Sequence, residues 1–122
     1  MKTKRIEVAG KTYTLTANRN IMKIIYDIAP ELLKLDIDPE NDMAKFKNAL
    51  GTFGTLKIIS ELDVVFYNMI KVAHPEISKE KSDEILDNFD AEYEDVSDNI
   101  LAFAFSVFTD GNPNIKKKKL NW

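Results

Sequence analysis

The sequence contains no cysteine and only one histidine, and both scarcities restrict its chemistry. Without cysteine it can build neither a disulfide framework nor a thiolate metal site. The single histidine, His74, precedes Pro75 at the end of an apolar helical pattern, which is more typical of a helix boundary than of a general base. Nucleophilic catalysis needs a nucleophile, an adjacent base and an orienting group. We therefore expect a protein that is not an enzyme.

Glycine is also scarce, with four residues in the chain, Gly10, Gly51, Gly54 and Gly111. They are not clustered ahead of a Lys-Ser or Lys-Thr pair, so no phosphate-binding loop is predicted. No glycine lies between Gly54 and Gly111, so the acidic residues between 87 and 98 lack the sharp turn that an EF-hand requires. We assign no catalytic residue, no cofactor and no metal ligand.

Long apolar runs are absent as well. The longest contain a few residues, whereas a helix needs roughly 20 to cross a bilayer. Residues 1–5 lead into an alternating, strand-like pattern and not into the apolar core of a signal peptide. A chain of 122 residues is long enough for one ordinary domain. We expect a soluble cytoplasmic protein with no membrane partner.

Charge is present in both signs but is unevenly distributed around a net charge of −3. Residues 1–23 hold six basic side chains against Glu7 alone, and residues 76–98 hold ten acids against two lysines. Four further lysines form the run 116–119. Such asymmetry informs about partners and association rather than about fold. Because the chain is acidic overall and the lysine run lacks interleaved aromatics, nucleic-acid binding is not favoured.

Two short alternating runs open the chain. Ile6 and Val8 alternate with polar residues, and Tyr13 and Leu15 do the same after a turn containing Gly10. This pattern predicts a β-hairpin. A lone hairpin is only marginally stable, so we expect it to pack against the helices that follow.

Helical periodicity covers most of the remaining sequence. Asn18 and Ser78 are suitable N-caps for two of the helices. Helices are predicted over 19–29, 42–50, 55–73, 79–89 and 95–108. The predicted fold is mainly α, an N-terminal β-hairpin followed by a compact bundle of four to six helices. We expect one α-rich domain over 1–112 and a flexible basic tail over 113–122.

Three of these helices carry unusually broad apolar faces. Their apolar arcs span about 200°, roughly twice the stripe of a typical surface helix. Either one helix is central and wrapped by the others, or apolar surface remains for another chain. We favour a partner or oligomer interface, although sequence alone cannot separate its residues from the core. The candidate protein-interaction residues are Ile58, Phe66, Met69, Phe103, Phe105 and Phe108.

The order of these elements resembles a known family. The hairpin 6–15 leads directly into a helix, and the long helical pattern 62–73 is followed by His74-Pro75-Glu76-Ile77-Ser78 and an acidic helix to Phe89. In these features residues 5–108 resemble the tail assembly chaperones of long-tailed bacteriophages, particularly those of Gram-positive bacteria.

The resemblance implies a non-enzymatic protein of the host cytoplasm that is absent from the mature virion. Such proteins coat the tape measure protein and help recruit subunits of the tail tube protein. From the charge distribution we also expect a homo-oligomer, in which the basic N-terminal segment of one copy meets the acidic middle of the next in a ring or spiral. Family members often have a frameshifted long form, and adenine-rich codons for Lys116 to Lys119 could provide the slippery site.

Two alternatives remain open at this point. One is a structural tail-completion or connector protein that stays in the virion. The other is a small nucleic-acid-binding regulator that uses the lysine tail.

Overall fold

The computed structural model describes residues 1–30, 48, 51, 54, 56–108 and 115–118. The mainly α fold with an N-terminal hairpin is confirmed. The elements are β1 (Lys2–Val8), β2 (Lys11–Ala17), α1 (Arg19–Ile28), α2 (Leu62–Ile70), α3 (Lys79–Glu92), α4 (Val96–Phe105) and a 3-10 turn, Ser106–Phe108. Residues 56–60 are also helical. The helix predicted over 42–50 lies almost wholly outside the described residues.

The hairpin forms because apolar and polar residues alternate along its two strands and because its turn residues adopt left-handed backbone conformations. Val8 pairs with Lys11, so Ala9 and Gly10 make a two-residue turn. Both have positive φ, +51° for Ala9 and +76° for Gly10, as a type I′ turn requires. The alternation directs one face of the sheet into the core, through Ile6, Val8, Leu15 and Ala17.

The predicted caps start α1 and α3. The Asn18 side chain accepts a hydrogen bond of 3.0 Å from the Ile21 N–H, and Ser78 Oγ accepts one of 3.0 Å from the Lys81 N–H. The helix predicted over 55–73 is instead interrupted at Glu61, whose N–H bonds the carbonyl of Ile58, only three residues back. This tighter hydrogen bond separates 56–60 from α2.

Helix α4 is the most completely buried of the described helices. Its buried residues are Val96 and all six positions from 100 to 105. It contacts both α1 and β2. Its broad apolar face is therefore buried within the chain and not offered to a partner.

The described part of the C-terminal tail, residues 115–118, is attached to the rest of the chain. Lys117 forms a β-bridge with Tyr93, and its Nζ lies 5.7 Å from the Tyr93 ring centroid. The Glu94 N–H donates to the Lys116 carbonyl at 2.8 Å, and the Lys118 N–H donates to the Glu92 carbonyl at 2.9 Å. Backbone pairing thus joins 116–118 to the end of α3, and the flexibility of the tail over 113–122 stays a prediction.

Candidate protein-binding groove

The structure places five of the six predicted interaction residues in the core. Ile58, Phe66 and Met69 are 0% exposed, Phe103 is 1% exposed and Phe105 is 9% exposed. The sixth, Phe108, ends the 3-10 turn, and its side chain lies outside the described part of the chain. This corrects the sequence assignment: the five buried side chains are closed to a partner in this conformation. Periodicity identified apolar faces but could not show which face another helix covers.

A groove with a mixed apolar and charged lining lies between α1 and the chain from 57 to 64. Ile24 and Ile28 of α1 and Val64 of α2 are half-buried along it. Its volume is ≈ 370 Å³. The charged residues that line it are Asp27, Lys57 and Glu61. A lining that is half apolar and half charged suits a partner that is itself amphipathic.

Helical spacing explains why this groove exists. Ile24 and Ile28 are four residues apart, so they stack on one side of α1. The buried stripe of α1, including Ile21 and Ile25, points instead into the core. The broad apolar arc of α1 is therefore divided, because one part packs against α4 and α2 while the other faces the groove. Sequence reasoning counted this whole arc as one face and missed the groove.

Four large apolar side chains are exposed in the described residues, and two of them lie near the groove. In the described residues, Leu56 is 57% exposed and Ile59 is 42% exposed, and both lie on the short helix that leads into the groove. Val72, two residues beyond the end of α2, is 46% exposed, and Met1 is 83% exposed. The rest of the broad apolar faces is buried or half-buried, so the surface offered to a partner is smaller than the sequence suggested.

His74 has a structural role that the sequence did not reveal. Its Nε2 accepts a hydrogen bond of 3.0 Å from the Thr14 N–H, and its ring meets Tyr13 edge-on at 5.7 Å. The imidazole thereby links β2 to the connection between α2 and α3. A second open cavity of ≈ 500 Å³ lies beside it, with walls that include Lys11 and Ile77. No sequence pattern linked His74 to a strand 60 residues away.

A three-residue charge cluster joins α2 to α3. Lys79 Nζ lies 2.8 Å from Asp63 Oδ2 and 2.7 Å from Asp83 Oδ1. The hydrogen bond from Lys79 holds the pKa of Asp63 below its ordinary value. The hydrogen bonds to Asp63, and then to Asp83, raise the pKa of Lys79. All three side chains are more than a third exposed, so solvent screens the cluster and its contribution is structural and small.

The described residues contain no cluster of three or more histidine, aspartate or glutamate side chains arranged to hold a metal ion. None of the described helices combines the length and apolar character that a membrane span requires. Comparison with family models, curated proteins and solved structures found no match to this chain.

Proposed function

We propose that this protein is a tail assembly chaperone of long-tailed bacteriophages. It acts without catalysis in the host cytoplasm, binds the tape measure protein, helps recruit tail tube subunits and is not retained in the virion. The resemblance over residues 5–108 suggests the client. The observation that carries the proposal is the groove between α1 and 57–64, which replaces the buried residues as the binding site.

The groove suits a helical client. Docking of an amphipathic helix into an apolar groove is a recurrent mode of peptide recognition. Ile24, Ile28 and Val64 provide apolar contact, worth roughly 25 cal/mol for each Å² removed from water. The orientation of a charged client helix is fixed by the two acidic residues of the groove, Asp27 and Glu61, together with the basic Lys57. A small groove binds weakly, which suits a chaperone that must release its client as the tail tube assembles.

The charge distribution supports self-association along the client. Glu80, Glu84 and Asp87 are exposed and lie at four- and three-residue spacing on one side of α3. Exposed basic side chains, including Arg5 and Arg19, lie in the N-terminal part of the chain. Contact between these two different surfaces of neighbouring copies would be heterologous and would generate a ring or spiral.

Co-expression with the protein encoded immediately downstream, the expected tape measure protein, tests the function. The wild-type chain is expected to keep that protein soluble and to co-purify with it. Val64→Lys places a charge in the groove wall and is expected to reduce co-purification at least tenfold. Val72→Lys introduces the same charge at an exposed valine beyond the end of α2 and is expected to leave it unchanged.

The possible outcomes test chaperoning, the groove and the connector alternative separately. A wild-type chain that neither solubilises nor binds the client would contradict chaperoning. Equal behaviour of the two lysine variants, with matching circular dichroism melts, would exclude the groove as the site. Mass spectrometry of purified particles is expected to find the protein absent, whereas stoichiometric presence would indicate the connector alternative.

A further inference from the structure

Three segments that are distant in the sequence meet beside the turn of the hairpin. The Tyr93 hydroxyl, just beyond the end of α3, donates a hydrogen bond of 2.7 Å to the Glu7 carbonyl. Glu92 Oε2 accepts a hydrogen bond of 2.9 Å from the Ala9 N–H. The third segment, 115–118, pairs with Tyr93 through a β-bridge. Hairpin, α3 and the lysine run are therefore joined at one place.

Residues 115–118, which we call the arm, pair with the end of α3 as an added strand does. The Glu94 N–H donates to the Lys116 carbonyl at 2.8 Å, and the Lys118 N–H donates to the Glu92 carbonyl at 2.9 Å. These two hydrogen bonds flank one residue pair, so the arm runs antiparallel to the chain that it contacts. Backbone pairing of this kind is a recurrent way of binding an extended segment.

Side chains make the pairing selective for the sequence of the arm. Lys117 Nζ lies 5.7 Å from the Tyr93 ring centroid and 3.7 Å from Glu7 Oε1. Ile115 is partly buried against the hydrophobic core. We define residues 92–94 together with Glu7 as the arm site. It accepts a lysine beside an aromatic ring and a carboxylate, with an apolar residue two positions earlier.

The charges of the arm and the arm site are complementary. The register of the β-bridge sets Glu94 opposite Lys116 and Glu92 opposite Lys118. Opposite charges on facing strand positions stabilise pairing. Lys117 and Glu7 are both more than half exposed, so solvent screens their ion pair and the arm is held by several weak contacts.

We propose that neighbouring copies of this protein exchange arms, so that residues 115–118 of one copy occupy the arm site of the next. The proposal rests on the self-association in the proposed function and gives it a defined contact. A second copy carries the identical arm, so the contacts broken and the contacts formed are the same. Exchange of an identical element is for this reason a low-cost route to assembly.

Local concentration decides which copy supplies the arm. A short connection gives an intramolecular segment an effective concentration of roughly 1 mM. Copies that line up along one client reach a similar local concentration, so the arm of a neighbour competes there. Residues 109–114 connect the arm to the 3-10 turn, and six residues span at most about 20 Å. Exchange therefore requires copies in direct contact.

The absence of cysteine from the chain makes disulfide trapping specific. Glu94 and Lys116 are both exposed and face each other beside the β-bridge. Directly opposite residues of an antiparallel pair lie within the Cα separation that a disulfide spans. The double variant Glu94→Cys/Lys116→Cys, oxidised in dilute solution, is expected to form an intrachain disulfide. This reaction verifies that the pairing exists in solution and that its geometry permits the bond.

Mixing of full-length single variants then measures exchange. Glu94→Cys and a tagged, longer Lys116→Cys chain are combined at roughly 1 mM, the effective concentration within one chain, and oxidised. Their mixed disulfide dimer is identified by its size. Its yield is expected to be at least tenfold higher than with Lys81→Cys in place of Glu94→Cys. Lys81 is also exposed but lies at the opposite end of α3 from the arm site.

A charge reversal tests the role of the lysine in the arm. Lys117→Glu, added to the tagged chain, is expected to lower the yield of mixed dimer at least fivefold. The glutamate loses the contact with the Tyr93 ring and faces the Glu7 carboxylate. Lys23→Glu, the same charge change at an exposed position of α1, is expected to leave the yield unchanged.

Three results would overturn arm exchange: no intrachain disulfide in the double variant, a mixed-dimer yield equal to that of the Lys81→Cys control, or equal effects of Lys117→Glu and Lys23→Glu. Light scattering of the wild-type protein separates this failure from that of self-association. An oligomer without mixed dimers rejects exchange alone, whereas a monomer at the same concentration rejects both. Client binding is decided independently by the co-expression experiment.

Discussion

Helices α4 and α1 have similarly broad apolar arcs in the sequence but opposite roles in the fold. Positions 100 to 105 of α4 are all buried, and the helix packs against α1 and β2. Helix α1 buries Ile21, Met22 and Ile25 but leaves Ile24 and Ile28 half-exposed along the groove. The width of an apolar arc therefore indicates how much apolar surface a helix has. Only the packing of neighbouring elements shows how much of that surface is buried.

The largest expected effect comes from comparing a substitution in the buried helix α4 with one beside the groove. Phe103→Ala should lower the free energy of unfolding by about 3–5 kcal/mol, because it leaves a cavity in the core. Ile24→Ala should lower it by only about 1 kcal/mol, because that side chain is already partly hydrated. Urea denaturation measures both values. Equal losses of unfolding free energy would contradict the distinction between the buried helix α4 and the groove-lining side of α1.

A smaller effect concerns two buried serines. Ser82 is 0% exposed, and its Oγ has no hydrogen-bond partner in the described part of the chain. Ser82→Ala should raise the free energy of unfolding by about 1 kcal/mol, because a buried unsatisfied hydroxyl is removed. Ser106 is equally buried but donates to the Phe103 carbonyl, so Ser106→Ala should lower it by about 1 kcal/mol. Thermal melts that shift in the same direction for both variants would refute this distinction.

The smallest effect belongs to the exposed charge cluster. The pKa of Asp63 is lowered in the folded state, so its contribution is present above the unfolded value and is lost as pH falls through the folded one. The raised pKa of Lys79 acts in the opposite direction, and its contribution is lost only at strongly alkaline pH. After screening, Lys79→Met should cost a few tenths of a kcal/mol near neutral pH and less below about pH 4. Denaturation at pH 7 and pH 3 checks this, and a larger cost at pH 3 would reverse the assigned sign.

Much of the architecture could be predicted because it depends on local signals. Asn18 and Ser78 cap helices by bonding backbone groups three residues away, and the Ala9-Gly10 turn joins adjacent strands. These interactions are encoded within a few positions, and sequence patterns of that length identify them. The interruption at Glu61 was missed, because no proline or glycine marks it.

The candidate site was predicted less well because it depends on contacts between distant segments. Ile58, Phe66 and Met69 have the same apolar character as a binding surface would have, and only the packing with the hairpin, α1 and α3 shows that they are covered. His74 and Tyr93 join positions more than 50 residues apart, to Thr14 and Glu7.

By itself, the sequence determined the hairpin, the helical class, the caps and the separation of basic and acidic segments, since each follows from residue order over a few positions. Only the tertiary structure decided that α4 is almost wholly buried, that a groove remains beside α1, and that the Tyr93 hydroxyl covers the Glu7 carbonyl at the edge of β1. The physical reason is that burial and edge pairing depend on which elements meet in space, and local periodicity does not encode their arrangement.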